Sequence, residues 1–230
     1  MPVFYENRQL VTPGDLLAEG DYLVDSNTYK EGNRIYANRL GLAYYEEKRV
    51  SVVALNAFYV PSVGDLIIGK ISEVNINGWT VDINAPYSAL LQASDVVNRF
   101  KPQRDDLSRI FEVRDLVMAK IVTFDRSRDP LLTVREPGLG KISRGQIVKV
   151  TPTKIPRVIG RKGSMINMLK SETGCKIVVG QNGLILVDGR SPEEESLAIM
   201  AIHKIEQESH TSGLTDRVTE MIRREKEAVK

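Results

Sequence analysis

The residues best suited to bind a ligand are Gly160-Arg161-Lys162-Gly163. They lie between two apolar stretches with helical spacing. Two glycines let the backbone turn tightly, and they allow a phosphate to approach without a Cβ in the way. The loop leads into a predicted helix at Ser164, whose free N–H groups and positive dipole end favour an anion. Arg161 and Lys162 add two positive charges. The sequence therefore predicts a contact site for the phosphates of a nucleic acid.

The G-x-x-G spacing is weak evidence on its own, because glycines also occur at plain turns between helices in many domains. The residues around it strengthen the prediction. Val158 and Ile159 precede the loop, and Ile166 and Leu169 follow it at helical spacing. The loop is therefore predicted to join two short amphipathic helices, as a phosphate-binding turn requires.

The elements on either side of the loop follow a recognisable order. Strands are predicted over 146–150, 173–179 and 184–187, with the turn Gln181-Asn182-Gly183 between the last two. A helix opens at an N-cap serine followed by proline and runs over 191–207. The order is strand, helix, loop, helix, strand, strand, helix. This order and the loop sequence resemble a type I KH domain, a module that binds single-stranded nucleic acid.

The resemblance implies a groove for about four nucleotides of RNA. In it the two glycines would allow close approach, Arg161 and Lys162 would contact phosphate, and Ile159 and Ile166 would form an apolar floor under the bases. The residues predicted to contact RNA in this domain are Arg157, Ile159, Gly160, Arg161, Lys162, Gly163, Ser164 and Ile166.

The middle of the chain has a strong β pattern. Alternating apolar residues predict strands over 63–74, 79–83, 88–91, 115–124 and 131–135. A polar, partly helical insert separates the third strand from the fourth. Five short strands with glycine-containing turns predict a small OB-type Greek-key barrel.

Within this barrel, Val63-Gly64-Asp65, Gly69-Lys70-Ile71 and Gly78-Trp79-Thr80-Val81 resemble the RNA-binding domain of the S-one type. In that family an aromatic residue on the second strand stacks on a base, and Trp79 holds this position. Two readings of Trp79 stay open here: it stacks on RNA, or it fills the barrel core. The family often has a further aromatic residue and a histidine after the third strand, where this chain has apolar Ala89–Ala93.

Backbone contacts by basic side chains are an equally good prediction for the barrel. They are expected from Lys70, Arg126 and Arg128, with Lys120 and the insert's Arg99, Lys101 and Arg104 as further candidates.

The first sixty residues contain short strands and glycine-rich turns, with strands expected over 35–42 and 50–57. Seven tyrosines lie between residues 5 and 59, and tyrosines are common at protein–protein contacts. We interpret this segment as a docking domain. The fold class is thus a multidomain α+β protein, with a β docking domain over 1–60, the barrel over 61–138 and the KH domain with a C-terminal helix over 139–230.

The charge is distributed unevenly along the chain. The formal net charge is +2, but residues 141–190 contain ten Lys or Arg against two Asp or Glu. A phosphate-binding face requires this concentration of positive charge around the loop. The near-neutral remainder argues against a nonspecific polycation.

The composition also limits the location and the chemistry. No apolar run approaches the length of a membrane span, and the N-terminus lacks a signal-peptide pattern, so no membrane partner is expected. A single cysteine, Cys175, fits a reducing cytoplasm and is expected to be a buried structural thiol. Asp105-Asp106 is better explained as a helix N-cap than as a catalytic pair. His203 and His210 have no metal-ligand set beside them, so neither catalysis nor a cofactor or metal is expected.

The domain order over nearly the whole chain resembles the cap subunit of the archaeal RNA exosome, which carries S-one and KH domains. The stretch Lys154–Gly160 adds to this likeness. The resemblance implies a non-catalytic subunit that binds single-stranded RNA and guides its 3′ end to the pore of a hexameric ring. Phosphorolytic RNase subunits would form that ring, with three cap copies on it.

Two alternatives remain. One is a free-standing RNA-binding protein in translation or RNA chaperoning, against which the dedicated N-terminal domain argues. The other is the tail of a bacterial polynucleotide phosphorylase, in which the KH domain precedes the barrel, the reverse of the order here.

Overall fold

The computed structural model describes residues 2–55, 57–97, 106–125, 127–209, 211 and 213–228. The chain divides into two compact units, Met1–Ala57 and Phe58–Lys230. The predicted barrel and KH domain therefore belong to one compact unit, and the predicted docking domain forms the other.

The first unit is built from strands in two sheets. Its strands are β1 Leu10–Val11, β2 Leu16–Glu19, β3 Leu23–Val24, β4 Thr28–Glu31, β5 Arg34–Ala37, β6 Gly41–Glu46 and β7 Arg49–Ala54. One sheet has the order β1-β6-β7-β3 and the other β2-β5-β4. Side chains alternate between the two faces of each strand, and those on the buried faces, such as Val11, Leu17 and Ile35, form the core of this unit.

The strand expected over 35–42 is wrong as a single element. The chain leaves the three-stranded sheet after Ala37 and enters the four-stranded sheet at Gly41. The backbone N–H groups of Ala37 and Asn38 bond to Asp15 and Asn27 instead of continuing one ladder. Two adjacent strands of β-branched and aromatic residues look like one when the sequence does not show that they pair with different partners.

The barrel is closed by five strands, which are β8 Leu66–Asn75, β9 Gly78–Asp82, β10 Ser88–Gln92, β11 Leu116–Asp125 and β12 Arg128–Thr133. The order β12-β10-β9-β8-β11 returns to β12 through an additional β11–β12 pairing. A short helix, α1 Ala93–Val96, follows β10, and β13 Gly140–Ile142 extends the sheet beside β11. The fifth strand begins earlier than expected, so Arg128 lies in it, opposite Asp125.

The KH domain has the predicted order of elements, namely β14 Gln146–Lys149, α2 Ile155–Ile159, α3 Ser164–Thr173, β15 Lys176–Val179, β16 Leu184–Asp188 and α4 Pro192–Gln207. The sheet order β14-β16-β15 is that of a type I KH domain. Ser191 is the N-cap of α4, and its Oγ accepts a hydrogen bond from the Glu194 N–H at 3.3 Å. The last helix, α5 Leu214–Ala228, packs on the same core through Leu214, Val218 and Ile222.

The turn between β15 and β16 joins the KH domain to the barrel. Asn182 is fully buried, and its Nδ2 donates to the carbonyls of Ile68 at 2.6 Å and Ile83 at 2.8 Å. Its Oδ1 accepts from the Ile68 N–H at 3.3 Å. Met118 and Leu186 pack with Ile68 in a small apolar cluster. The barrel and the KH sheet are thus held together by specific hydrogen bonds as well as by apolar contact.

Candidate nucleic-acid interface

The loop Gly160–Gly163 is a tight turn whose shape depends on its two glycines. Gly160 has φ 75° and ψ 170°, and a Cβ there would lie 2.7 Å from the Met165 backbone nitrogen. Gly163 has φ 79° and ψ 13°, the left-handed conformation that glycine adopts without a Cβ penalty. The Gly163 N–H donates to the Gly160 carbonyl at 3.1 Å and closes the turn. A side chain at Gly160 would therefore clash with α3, and one at Gly163 would be held in a strained conformation.

The two cations of the loop are exposed and available. Neither Arg161 nor Lys162 has an ion pair or side-chain hydrogen bond with another described residue. Lys162 has φ 51° and ψ 30°, a left-handed conformation that costs a non-glycine residue about 1 kcal/mol. Directly after the loop, α3 begins at Ser164, which is exposed. Two exposed positive charges and a helix N-terminus thus meet at one place, as phosphate binding requires.

The apolar residues beside the loop are more deeply buried than the predicted floor implies. Val158 is fully buried and Ile166 is 9% exposed, and both belong to the KH core. Ile159 is half-buried against the same core. Ile159 therefore offers more surface to a base than Ile166 does.

Arg157 lies on the exposed side of α2, one turn before Gly160. Its Nη2 donates to the Thr211 carbonyl at 2.8 Å. Among the described residues, this bond uses one of the five donors of its guanidinium group.

The structure places Trp79 in the barrel core, so the base-stacking reading of this residue is wrong. Trp79 is 1% exposed, its Nε1 donates to the Phe111 carbonyl at 3.1 Å, and the two rings meet edge to face at 5.1 Å. Both ring faces are enclosed, and none is free for a base. Phe111, which contacts the Trp79 ring, lies 32 positions later in the chain. The alternating pattern of the strands does not indicate this contact.

The barrel has a groove that the sequence reasoning missed. It has a volume of about 1000 Å³, and Tyr87 and Phe124 stand in its wall with their ring centroids 5.1 Å apart, edge to face. Arg128, a predicted RNA contact, lines the same groove with Leu90 and Gln92. In the sequence, Tyr87 directly precedes one predicted strand and Phe124 ends another, and a basic loop follows Phe124. Only the closure of the barrel brings the two rings together.

The other predicted barrel contacts are separated or lie outside the described residues. Lys70 is exposed on β8, where it does not line this groove. Lys120 is ion-paired to Glu136 at 2.8 Å. The residues that fall outside the described part of the chain are Arg99, Lys101, Arg104 and Arg126.

Other candidate chemistry is structural where the structure describes it. Cys175 is 3% exposed, and burial raises the pKa of its thiol, which keeps the group neutral. His203 contacts Glu206 at 3.8 Å on the surface of α4, while His210 lies outside the described residues. Within the described ranges, no three His, Cys, Asp or Glu side chains are grouped to hold a metal, and no helix is long and apolar enough to cross a membrane.

The fold and the loop together define a class of protein, in which an S1-type barrel and a type I KH domain follow a small β domain. Comparison with known families gives the same three parts. Residues 8–56 match the exosome RNA binding protein RRP4 N-terminal domain, residues 58–123 the RRP4 S1 domain, and residues 145–211 the KH domain. The chain belongs to the Rrp4 family of exosome complex components.

Relatives along nearly the whole chain support this assignment. The exosome complex component Rrp4 of Thermofilum pendens is 43% identical over 224 residues, which cover 96% of this chain and 94% of the relative. The Rrp4 of Pyrococcus furiosus is 45% identical over 223 residues, with 96% and 84% covered. A crystal structure described as an exosome complex RNA-binding protein is 46% identical, with a TM-score of 0.72, and it covers 76% of this chain and 100% of its own.

Proposed function

We propose that the chain is a non-catalytic RNA-binding subunit of an exosome, a complex that degrades RNA from the 3′ end. The observation that carries the proposal is the loop between α2 and α3, where Arg161 and Lys162 are exposed beside a helix N-terminus and form no ion pair with a described residue. Membership of the Rrp4 family supplies the complex. The KH loop holds the phosphates of single-stranded RNA, and the groove of the barrel offers Tyr87, Phe124 and Arg128 to the same strand.

The proposal extends to the larger assembly on the strength of the resemblance. Three copies sit on a hexameric ring of phosphorolytic RNase subunits and direct the RNA 3′ end into its pore. The ring, and not this chain, carries the catalytic residues. The residues around the loop support the assignment of catalysis to the ring. In the described part of the chain, they are cations and apolar side chains and not paired carboxylates. A cytoplasmic location stays a prediction.

The first unit supplies a surface for docking on that complex. Leu10 pairs with Leu42 on β6, and Leu42 pairs with Val53 on β7, so the three side chains form a line across three strands. Leu10 is 55% and Val53 56% exposed. Tyr44, two residues after Leu42 and exposed, extends the line on the same face. An exposed apolar stripe of this kind is typical of a protein–protein contact.

The RNA part of the proposal is tested by reversing the loop charges. In the double variant Arg161→Asp, Lys162→Asp, affinity for single-stranded RNA should fall roughly ten- to hundredfold, because two charge-assisted contacts become repulsive. The slope of log affinity against log salt should flatten by about 1.4, since each lost phosphate contact on a single strand removes about 0.7. Fluorescence anisotropy with a labelled oligouridylate at several salt concentrations measures both quantities.

The matched control is Arg224→Asp, Lys226→Asp, which changes the net charge equally on exposed positions of α5. Its affinity for RNA should stay within about twofold of that of the parent. At 0.1 M salt the Debye length is ~10 Å, so exposed charges that lie away from the RNA are largely screened from it. If the control loses as much affinity as the loop variant, or the loop variant loses none, the loop is not the phosphate site.

The docking part is tested by Leu10→Lys combined with Val53→Lys, which places two charges in the apolar stripe without touching the core. The variant should no longer co-purify with the phosphorolytic ring proteins, while its RNA affinity stays unchanged. Native mass measurement of the parent complex gives the number of copies. A variant that still assembles on the ring would show that this stripe is not the docking surface, and a parent chain that never assembles would favour the free-standing RNA-binding protein.

A further inference from the structure

The C-terminal helix α5 is continuous with the KH core although the KH family match ends at residue 211. Leu214, Val218 and Ile222 are 0–2% exposed and share one cluster with the residues of α2, α3 and α4. The opposite side of α5 is charged and exposed. The helix is therefore part of the domain that carries the RNA loop.

The turn that leads into α5 holds Arg157. The Arg157 Nη2 donates to the Thr211 carbonyl at 2.8 Å. Thr211 is itself fixed, because its N–H and Oγ1 donate to the Glu208 carbonyl at 3.0 and 2.9 Å. From α5, the Arg217 Nε donates to Glu208 Oε2 at 3.0 Å, and its Nη2 donates to Thr211 Oγ1. Thr211, whose carbonyl accepts the hydrogen bond from Arg157, is thus fixed by Glu208 and by Arg217.

A second contact connects α5 to the helix on the other side of the loop. Arg223 forms an ion pair with Glu172 of α3 at 3.2 Å. The RNA loop lies between α2 and α3, and Thr211 and α5 add polar contacts to these two helices. The C-terminal segment therefore contacts α2 close to the loop, through Arg157, and α3 at the end far from the loop, through Glu172.

We propose that Arg217 is a positioning residue for RNA binding, and that it acts by fixing Arg157 as a third phosphate contact beside Arg161 and Lys162. The inference rests on the proposed function of the KH loop. A guanidinium group has five donors in a planar fork, and the bond to Thr211 uses one of them. The remaining donors are held one helical turn before Gly160, so the side-chain entropy that binding would otherwise cost is already lost in the free protein.

The test is a double-mutant cycle on the full chain, with anisotropy of a labelled oligouridylate as the readout. Arg157→Ala should weaken binding and flatten the salt slope by about 0.7, the amount expected for one phosphate contact. Arg217→Ala should weaken binding roughly two- to tenfold, because one side chain must be ordered on binding, with an unchanged salt slope. In the Arg157→Ala background, Arg217→Ala should have no further effect. Arg224→Ala, the same charge change on α5, should bind like the parent.

Each other outcome has a definite meaning. If the effects of Arg157→Ala and Arg217→Ala add independently, Arg217 does not act through Arg157 and the inference is overturned. If Arg157→Ala leaves affinity and slope unchanged, Arg157 is a structural residue and the inference fails again. Both failures are separate from that of the proposed function, which is judged by the Arg161 and Lys162 double variant. Thermal unfolding of each variant confirms that the comparison is made between folded proteins.

Discussion

Two turns of the KH domain share the spacing G-x-x-G, but one is exposed to solvent and the other is buried against the barrel. Gly160-Arg161-Lys162-Gly163 lies exposed between two helices, with both middle side chains in solvent. Gly180-Gln181-Asn182-Gly183 joins β15 to β16, and its Asn182 is fully buried against the barrel. Spacing alone makes both segments tight turns. The middle residues and their surroundings decide that one faces a ligand and the other faces a neighbouring domain.

The difference follows from what each side chain can satisfy. Unpaired Arg and Lys charges are too costly to bury, so the first turn stays in water, where phosphates can replace solvent. A neutral amide has donors and an acceptor, and Asn182 uses both with the backbone of Ile68 and Ile83. One turn is therefore suited to a reversible ligand and the other to permanent contact. Three predictions sharpen this contrast, from the largest effect to the smallest.

Asn182→Ala should lower the free energy of unfolding by about 3 kcal/mol, because buried backbone groups of Ile68 and Ile83 lose their partners. Urea unfolding followed by the fluorescence of Trp79, the single tryptophan, measures the change. RNA affinity of the folded variant should stay close to that of the parent. Gln181→Ala is the control, since that side chain is exposed and its backbone N–H keeps its bond to Leu66. Equal losses in the two variants would contradict the assignment.

Gly160→Ala should cost about 2 kcal/mol, because its φ and ψ are strained for any residue with a Cβ. The added carbon would also stand 2.7 Å from the Met165 nitrogen. Gly163→Ala is the matched comparison, since the nearest atom to its Cβ would be 3.6 Å away. It should cost about 1 kcal/mol, the left-handed penalty alone. Urea unfolding decides the order, and the reverse order would show that the loop relaxes around Gly160.

Lys162→Asn should raise the free energy of unfolding by about 0.5 kcal/mol, since asparagine tolerates the left-handed conformation better than lysine. At the same time it should weaken RNA binding, because one phosphate contact is lost. Arg161→Asn removes the same charge without relieving a left-handed residue, so it should weaken binding with no gain in stability. If Lys162→Asn bound RNA like the parent, only Arg161 would serve the phosphate in this loop.

Much of the architecture could be predicted from local pattern. The β-branched run before Val179, the Asn-Gly turn and the capped start of α4 each depend on neighbours a few residues away, and all three are found near their predicted positions. The RNA loop was visible for the same reason, since its glycines and charges are consecutive. The fold class and the family resemblance are confirmed.

Three of the differences involve partners that are distant in sequence. The strand over 35–42 divides because its halves pair in different sheets. Trp79 is core because Phe111 closes over it, and Tyr87 meets Phe124 only when the barrel closes. A residue's own pattern does not reveal such partners, because strand pairing is a property of the whole sheet.

The sequence by itself determined where this chain turns, which faces of its elements are apolar, and where positive charge concentrates beside a bare backbone. These depend on side-chain size, charge and backbone freedom within a few residues. Only the tertiary structure decided that Asn182 joins two domains, that Trp79 is enclosed, and that Arg157 and Arg217 both bond to Thr211. Those outcomes depend on burial and on hydrogen-bond partners that folding brings together from distant parts of the chain.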